Sequence, residues 1–271
     1  MSFPYQRELR EQAAELKFLL SVPQAQAIRS WARHRLAADP HASGPDRDGY
    51  RISSLYMDTE SFDVAHRRGS FRLSKFRIRR YGDSPRVFLE RKLRTQEMLC
   101  KRRTLVDLND LPRLRAAVPD SSWSGAWFHR RVLARGMRPS CQISYRRTAR
   151  VGMNPYGPFR LTLDEGLSAR PARGLWFDEE PESVELAPEQ VILELKFREE
   201  VPLVFKELIR EFELNPRRIS KYRMAVTGLG LVESAAESAV SRGLATQPAL
   251  AAAPARAANI FQREVWPAFL R

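Results

Sequence analysis

The chain has 271 residues, 43% of them hydrophobic and 29% charged, which excludes a disordered or fibrous protein and allows a sizeable core. Forty-six Lys and Arg against 32 Asp and Glu leave a net charge of +14, which points to a polyanionic partner: nucleic acid, an acidic membrane surface or a phosphorylated small molecule. Cys100 and Cys141 are too few for a disulfide framework, no Cys/His group has zinc-ligand spacing, and neither a signal-peptide core nor about 18 uninterrupted apolar residues occurs, so a cytoplasmic protein with no membrane span is expected.

Taken in chain order, residues 23 to about 38 predict a helix, with Ala25, Ile28, Trp31, Ala32 and Leu36 near one face. The Pro/Gly/Asp-rich stretch 39–49 predicts a loop. From Tyr50 to about Val106 the pattern is strand-like, broken at Gly69 and at Gly82-Asp83-Ser84-Pro85. Residues 108–136 predict a helical insertion anchored by Trp123, Trp127 and Phe128. Strands resume near 142–151, 159–163 and 191–197, and a helix follows at about 203–214. Beyond Gly230 the composition turns to Ala and Ser, which predicts one domain over residues 1–230 and a mobile tail over 231–271.

The charge is local. Residues 67–103 hold 14 Lys or Arg and three Asp or Glu, a surplus of +11. Lys75, Arg77 and Arg79 occupy every second position, with Phe76 and Ile78 between them, so on a strand three cations share one face and the apolar groups the other. Glu90 and Lys92, then Arg160, Thr162 and Asp164, then Glu194 and Lys196 repeat the alternation. Glu-x-Lys recurs at 15–17, 90–92 and 194–196. Strands of this kind closed into a barrel would turn their charged faces to a lumen and their apolar faces outward under the helices. A lumen of Arg and Lys repels itself unless a polyanion fills it or carboxylates offset it. Glu15, Glu90, Asp164 and Glu194 could offset it or hold a divalent cation. Nucleic acid is disfavoured as the polyanion, because carboxylates interleave the bases and few aromatics accompany them.

ELKFLL, YRISSLYMDTESFD, KFRIRRYG, FLERK with the following KRR, YRRTA, FRLTLD, VILELKF and SKYRMAV occur in this order over about residues 13–227. The ordered set resembles the catalytic domain of the vacuolar transporter chaperone (VTC) family, of the CYTH or triphosphate tunnel metalloenzyme superfamily. The resemblance implies an α+β fold, an antiparallel eight-stranded β-barrel with a charged interior, flanked by helices. It also implies a polyphosphate polymerase that transfers the terminal phosphoryl group of ATP to a growing polyphosphate chain with Mn²⁺ or Mg²⁺. Carried over by motif, Arg77, Arg79, Lys92, Arg160 and Lys221 are catalytic, Lys17, Lys101, Arg147, Arg218 and Ser220 bind phosphate, and Glu194 is the metal ligand. Arg146 competes with Arg147, and Arg103 with Lys101. Asp58 either orients a luminal Arg or caps the following turn.

The triphosphatase branch opens with Glu-x-Glu-x-Lys, whereas Ala13 takes the first position here. This speaks against hydrolysis of triphosphate or a nucleoside triphosphate, the alternative enzyme. A polyphosphate-binding module without turnover is the non-enzymatic alternative. No phosphate-sensing SPX region precedes Met1 and no membrane segment follows, so the transporter context of the fungal complex is not expected.

Overall fold

The computed structural model describes residues 9–11, 13–42, 48–94, 99–179 and 182–233. The proposed tail beyond residue 233 lies outside the described residues. Nine strands form one hydrogen-bonded path in which every pairing is antiparallel: β1 (Leu9–Glu11), β2 (Ala13–Ser21), β4 (Gly49–Asp58), β5 (Ser74–Tyr81), β6 (Arg86–Arg94), β7 (Leu99–Asp107), β8 (Arg138–Asn154), β9 (Gly157–Pro171) and β11 (Gln190–Arg198). Two short strands, β3 (Ala37–Ala38) and β10 (Val184–Glu185), pair with β8 and β9. The order is β1-β7-β6-β5-β4-β8-β9-β11-β2, so the two ends of the path are consecutive segments of the chain, separated by residue 12 alone. The ladder itself is not closed between β1 and β2. With β1 and β2 taken as one length of backbone, the path has the eight strands that the resemblance implies.

Period-2 patterning decides which face lies outside. Leu161, Leu163, Leu193 and Leu195 are completely buried under α1 (Val22–Arg35) and α4 (Leu203–Glu211), together with Ile28, Trp31, Phe205 and Leu208. Burying a Phe or Leu of this kind contributes about 1.5–3 kcal/mol. Helix α1 starts where the Ser21 hydroxyl accepts from the Gln24 N–H at 3.4 Å, with Pro23 in the first turn. Arg33, His34 and Arg35 in its last turn complement the helix dipole. The Trp31 indole donates to Glu211 Oε2 at 2.8 Å and ties α1 to α4. On the other side Phe76, Ile78 and Leu89 pack beneath α3 (Ala126–Leu133), where Phe128 is buried and meets Phe76 edge-on at 5.8 Å.

The insertion at 108–136 is less helical than expected. Pro112 removes a backbone donor, and residues 108–115 form a 3₁₀ helix, with turns before α3. Trp123 and Trp127 are core residues, as expected. Gly82, at φ +52, turns β5 into β6 in a conformation that residues with a Cβ seldom adopt. No helix among the described residues is long and apolar enough to cross a membrane.

Helix α5 (Lys221–Gly228) is an element that periodicity did not predict, as are the short helix Asp63–His66 and the 3₁₀ helix Gly69–Leu73 inside the strand-like stretch. Helix α5 packs against β8 and β9, and Tyr222 stacks on Tyr56 with ring centroids 5.0 Å apart. Its anchor is Asp58, wholly buried, which accepts from the N–H groups of Thr59, Val64 and Ala65 at 2.7, 2.9 and 3.0 Å and from the Tyr222 hydroxyl at 2.5 Å. Of the two roles open to Asp58, it caps the turn leading into α2 (Asp63–His66). Asp58→Ala strands these buried donors and is expected to lower stability by about 3 kcal/mol, read as the urea midpoint at constant slope; an unchanged midpoint would refute this account of how α5 is held.

Candidate functional site in the tunnel

Residues directly opposite one another in a ladder share a face, so the register assigns the inner wall. Lys75 faces Lys92, Lys92 faces Lys101, Arg77 faces Glu90 and Tyr56, and Arg79 faces Ser54. Across the barrel Glu194 faces Lys17 and Thr162, Lys196 faces Glu15 and Arg160, and Asp164 faces Arg147. The cationic faces of separate strands therefore meet in one interior, as the alternation predicts, and cations outnumber carboxylates there.

The carboxylates are distributed as pins. Glu15 lies 2.8 Å from Lys17, 3.1 Å from Lys92 and 3.9 Å from Lys196. Burial and neighbouring Glu194 push its carboxyl up, but the three lysines outweigh them and hold it at about 2. Glu194 lies 2.6 Å from Lys196 and 3.6 Å from Lys17, and despite burial these lysines, Lys221 and Arg147 keep it well below the usual carboxylate range. Glu90 accepts from Arg77 Nε at 2.7 Å and lies 3.4 Å from Lys101; Arg77, Arg79 and Lys101 keep it ionised against burial. Asp164, fully buried, takes a bidentate pair from Arg147 at 2.6 and 2.7 Å and a third contact from Lys221 at 2.7 Å, which hold it at about 2 against burial.

Most of the residues expected in the site are brought together. Lys17, Arg77, Arg79, Lys92, Lys101, Arg147, Arg160, Glu194 and Lys221 share the interior, and Ser220 caps α5 beside it, its hydroxyl accepting from Lys75 Nζ at 2.9 Å. Arg147 is the inward member of its pair, whereas Arg146 is exposed. Lys101 and Arg103 share a face, but Lys101 meets Glu90 while Arg103 lies over the Phe88 ring at 3.9 Å. Arg218 is exposed on the segment before α5. Arg160 donates to Tyr50 at 2.5 Å and pairs with Asp39 at 2.5 Å.

Several functional candidates lie outside the expected set. Phenols line the arginines: Tyr56 accepts from Arg77 at 3.2 Å, Tyr145 from Arg79 at 3.3 Å and Tyr50 from Arg160. The alternation that could have found Tyr50 and Tyr56 is lost because β4 is buried on both faces from Ile52 to Asp58. Lys75 was visible on the cation face of β5, but no motif singled it out. Among the described residues neither Lys75 nor Arg79 has a carboxylate within ion-pair distance, although the charge of Glu90 reaches Arg79. Burial, then Lys17, Lys92, Arg77 and Arg67, pull the Lys75 ammonium down to about 7. Burial also outweighs Glu90 at Lys101 and brings it to about 8.

An eight-stranded antiparallel tunnel with a cationic lumen defines a class of fold, and comparison with known proteins agrees with it. The family model of the VTC domain matches residues 12–229, and the chain belongs to that family. The crystal structure of a candidate adenylate cyclase from Bacillus halodurans superposes with a TM-score of 0.50 at 16% identity, covering 78% of this chain and 95% of that one. A candidate adenylyl cyclase from Hippeastrum, described as having a dominant triphosphatase activity, gives 0.45 at 17% identity, covering 79% and 95%. A protein from Pyrococcus horikoshii gives 0.42 at 12% identity, covering 78% and 97%. At such identities the likeness concerns the fold. Comparison with curated proteins finds no match.

The depressed Lys75 has a consequence for stability. In the unfolded chain the amine holds its proton up to about 10.5, and in the folded chain it releases it near 7, so unfolding takes up a proton between these values and this group's contribution to stability rises with pH across that window. Lys75→Met is therefore expected to stabilise the protein more at pH 6.5 than at pH 9.5 in paired urea titrations, and a pH-independent difference would contradict the desolvated state of the amine.

Proposed function

We propose that the tunnel binds ATP and polyphosphate and transfers the terminal phosphoryl group of ATP to the growing polyphosphate chain. The observation that carries this reading is the excess of inward cations over carboxylates, with Lys75 and Arg79 having no carboxylate within ion-pair distance among the described residues. A row of equally spaced phosphates is the anion that several strands of cations can grip at once. Membership of the VTC domain family supports the same choice.

Phosphoryl transfer needs an in-line approach of nucleophile to leaving group and positive charge around the equatorial oxygens. Arg77 and Arg79, two residues apart on β5, present planar donors on one face for bidentate contact with neighbouring phosphates. Lys92, Lys101 and Lys196 present point charges from adjacent strands. The attacking group is a phosphate oxygen, already anionic, so no strong base is required, and none of the residues proposed as catalytic is a histidine. Binding replaces Glu15 and Glu90 by phosphate at the lysines and arginines they now pin. Lys75 and Ser220 hold one end of the chain of phosphates, because the segment before α5 runs across the lumen there, with the Arg217 N–H donating to the Lys17 carbonyl at 2.7 Å.

The family implies a divalent cation. Among the described residues no three His, Cys, Asp or Glu side chains gather into a metal cage. The oxygen donors nevertheless suit a hard ion shared with substrate: Glu194 lies close enough to Glu15 for their charges to interact, and the hydroxyl of Thr162, opposite Glu194 in the ladder, is buried without a partner. Mg²⁺ and Mn²⁺ accept one or two carboxylates when phosphate oxygens complete the shell. Glu194, with Glu15 beside it, would hold the ion, which would neutralise charge on bridging phosphate oxygens.

Pure protein incubated with ATP and Mn²⁺ or Mg²⁺ is expected to release ADP and build acid-insoluble polyphosphate. Release of orthophosphate without chain growth would assign a hydrolase instead, and binding of polyphosphate with no turnover under any metal would leave a binding module. Glu194→Ala is expected to cut turnover by at least about 100-fold while tripolyphosphate still binds. Loss of both in a folded variant would refute the metal assignment.

A further inference from the structure

The outer wall of the tunnel carries a second collection of cations. On β6 and β7 the inward pair Lys92 and Lys101 has the pair Arg91 and Arg102 one position away, which parity sends to the outer face. There the Arg102 guanidinium lies over the Trp127 ring at 4.3 Å and the Trp127 indole donates to Thr104 at 2.8 Å, so α3 rests on this part of the wall. Arg102, Trp127, Arg130, Arg131, Ala134 and Arg135 line a concavity of about 400 Å³ with no acidic residue in its lining. Among the described residues Arg130, Arg131 and Arg135 have no carboxylate within ion-pair distance. Arg135 lies over Phe71 at 5.6 Å and Phe76 at 5.7 Å, and its Nη1 is buried without a hydrogen-bond partner among the described residues. One cation in its last turn would complement the dipole of α3; four converging on one concavity exceed that need.

We infer that this groove is an outer anion site, which takes the part of a polyphosphate chain that lies beyond the tunnel. The inference rests on the tunnel's binding of polyphosphate proposed above and adds where a chain longer than the lumen goes and which residues hold it. Position argues for this occupant. Phe71, in the 3₁₀ helix leading into β5, and Phe76, next to Lys75, set Arg135 at the Lys75 end of the strand. Solvent reaches the inner cations near this end, where the Lys92 and Lys101 side chains are 35% and 38% exposed. Arg67, itself exposed, stands close enough for its charge to act on Lys75. The ladder of β6 and β7 ends three pairs beyond Arg91 and Arg102, about 10 Å away, so the inner and outer cations approach one margin of the sheet. A chain that outlasts the lumen meets them in turn. Guanidinium groups grip phosphoryl oxygens through planar paired donors, and a chain already tethered in the lumen presents its next phosphates at high local concentration. Nucleic acid fits less well, because Trp127 is buried with Arg102 on its face and offers a base nothing to stack on. A flat anionic membrane fits less well too, because the cations line a recess. The outer site therefore makes the protein hold a long chain more tightly than a short one.

The test measures equilibrium binding of inorganic tripolyphosphate and of long-chain polyphosphate to the full chain, to Arg130→Gln, to Arg135→Gln and to the double variant Arg130→Gln/Arg131→Gln. Long-chain affinity is expected to fall about ten-fold in the double variant and several-fold in each single one, with tripolyphosphate, which the lumen alone accommodates, unchanged within about two-fold. Arg130 is exposed, so its substitution leaves the core untouched even if loss of Arg135 unfolds the protein. Equal losses for both ligands, or none for the long chain, would overturn the outer site while leaving the tunnel reading in place. Long-chain binding kept by variants that no longer bind phosphatidylserine vesicles, as the wild type then does, would overturn it too and give this face to a membrane. A wild-type protein that takes neither phosphate ligand would defeat the underlying reading, and this inference with it.

Discussion

The structure depends on burying more cations than carboxylates inside a curled sheet without letting them repel it open. Moving a charge out of water costs several kcal/mol even after relaxation, and a buried pair recovers this only with close, well-aligned partners. The four inner carboxylates are spaced to provide them. Glu15 serves three lysines, Glu194 bridges the Lys17 and Lys196 strands, Glu90 pins Arg77 and Lys101, and Asp164 ties Arg147 to Lys221 at the start of α5. Each acid links strands that the backbone ladder joins only at their edges. Lys17 and Lys196 each have both Glu15 and Glu194 within reach, whereas Lys92 pairs with Glu15 and Lys101 with Glu90.

Such a lumen contributes little to stability, and the work of folding falls to the two apolar layers outside it. One lies under α1 and α4, the other under α3 and the 3₁₀ segment, and both are built from the alternate residues of the strands that carry the charges. A single period-2 pattern therefore serves two purposes. Its apolar half closes the barrel, and the closed barrel holds its charged half at fixed spacing. Cations held at fixed spacing would lose little freedom on meeting the phosphate chain proposed above, which is the condition for electrostatic stabilisation of a transferring phosphoryl group.

Helix α5 is tied to this arrangement through its side chains. Asp58 fixes Tyr222, Tyr222 stacks on Tyr56, and Tyr56 accepts from Arg77, so the helix that supplies Lys221 and Ser220 is indexed to the strand that supplies the arginines.

The sequence alone determined most strands of the barrel, the charged face of β5, β6, β9 and β11 and the sign of the lumen, because side-chain parity is local and survives in any register: Lys75, Arg77 and Arg79 must share a face wherever β5 lies. It also separated α1 and α4 from the strands by their period. It could not say which acid meets which cation, since Glu15 and Lys92 are 77 residues apart in the chain and meet only when the path closes through β1 and β2. The place of Arg147 rather than Arg146 waited on a bulge in β8 that shifts parity, and the tyrosines of β4 were hidden by burial on both faces. The desolvation that lowers Lys75 is likewise a sum over neighbours from several strands, a quantity that exists only once the tertiary structure has enclosed them.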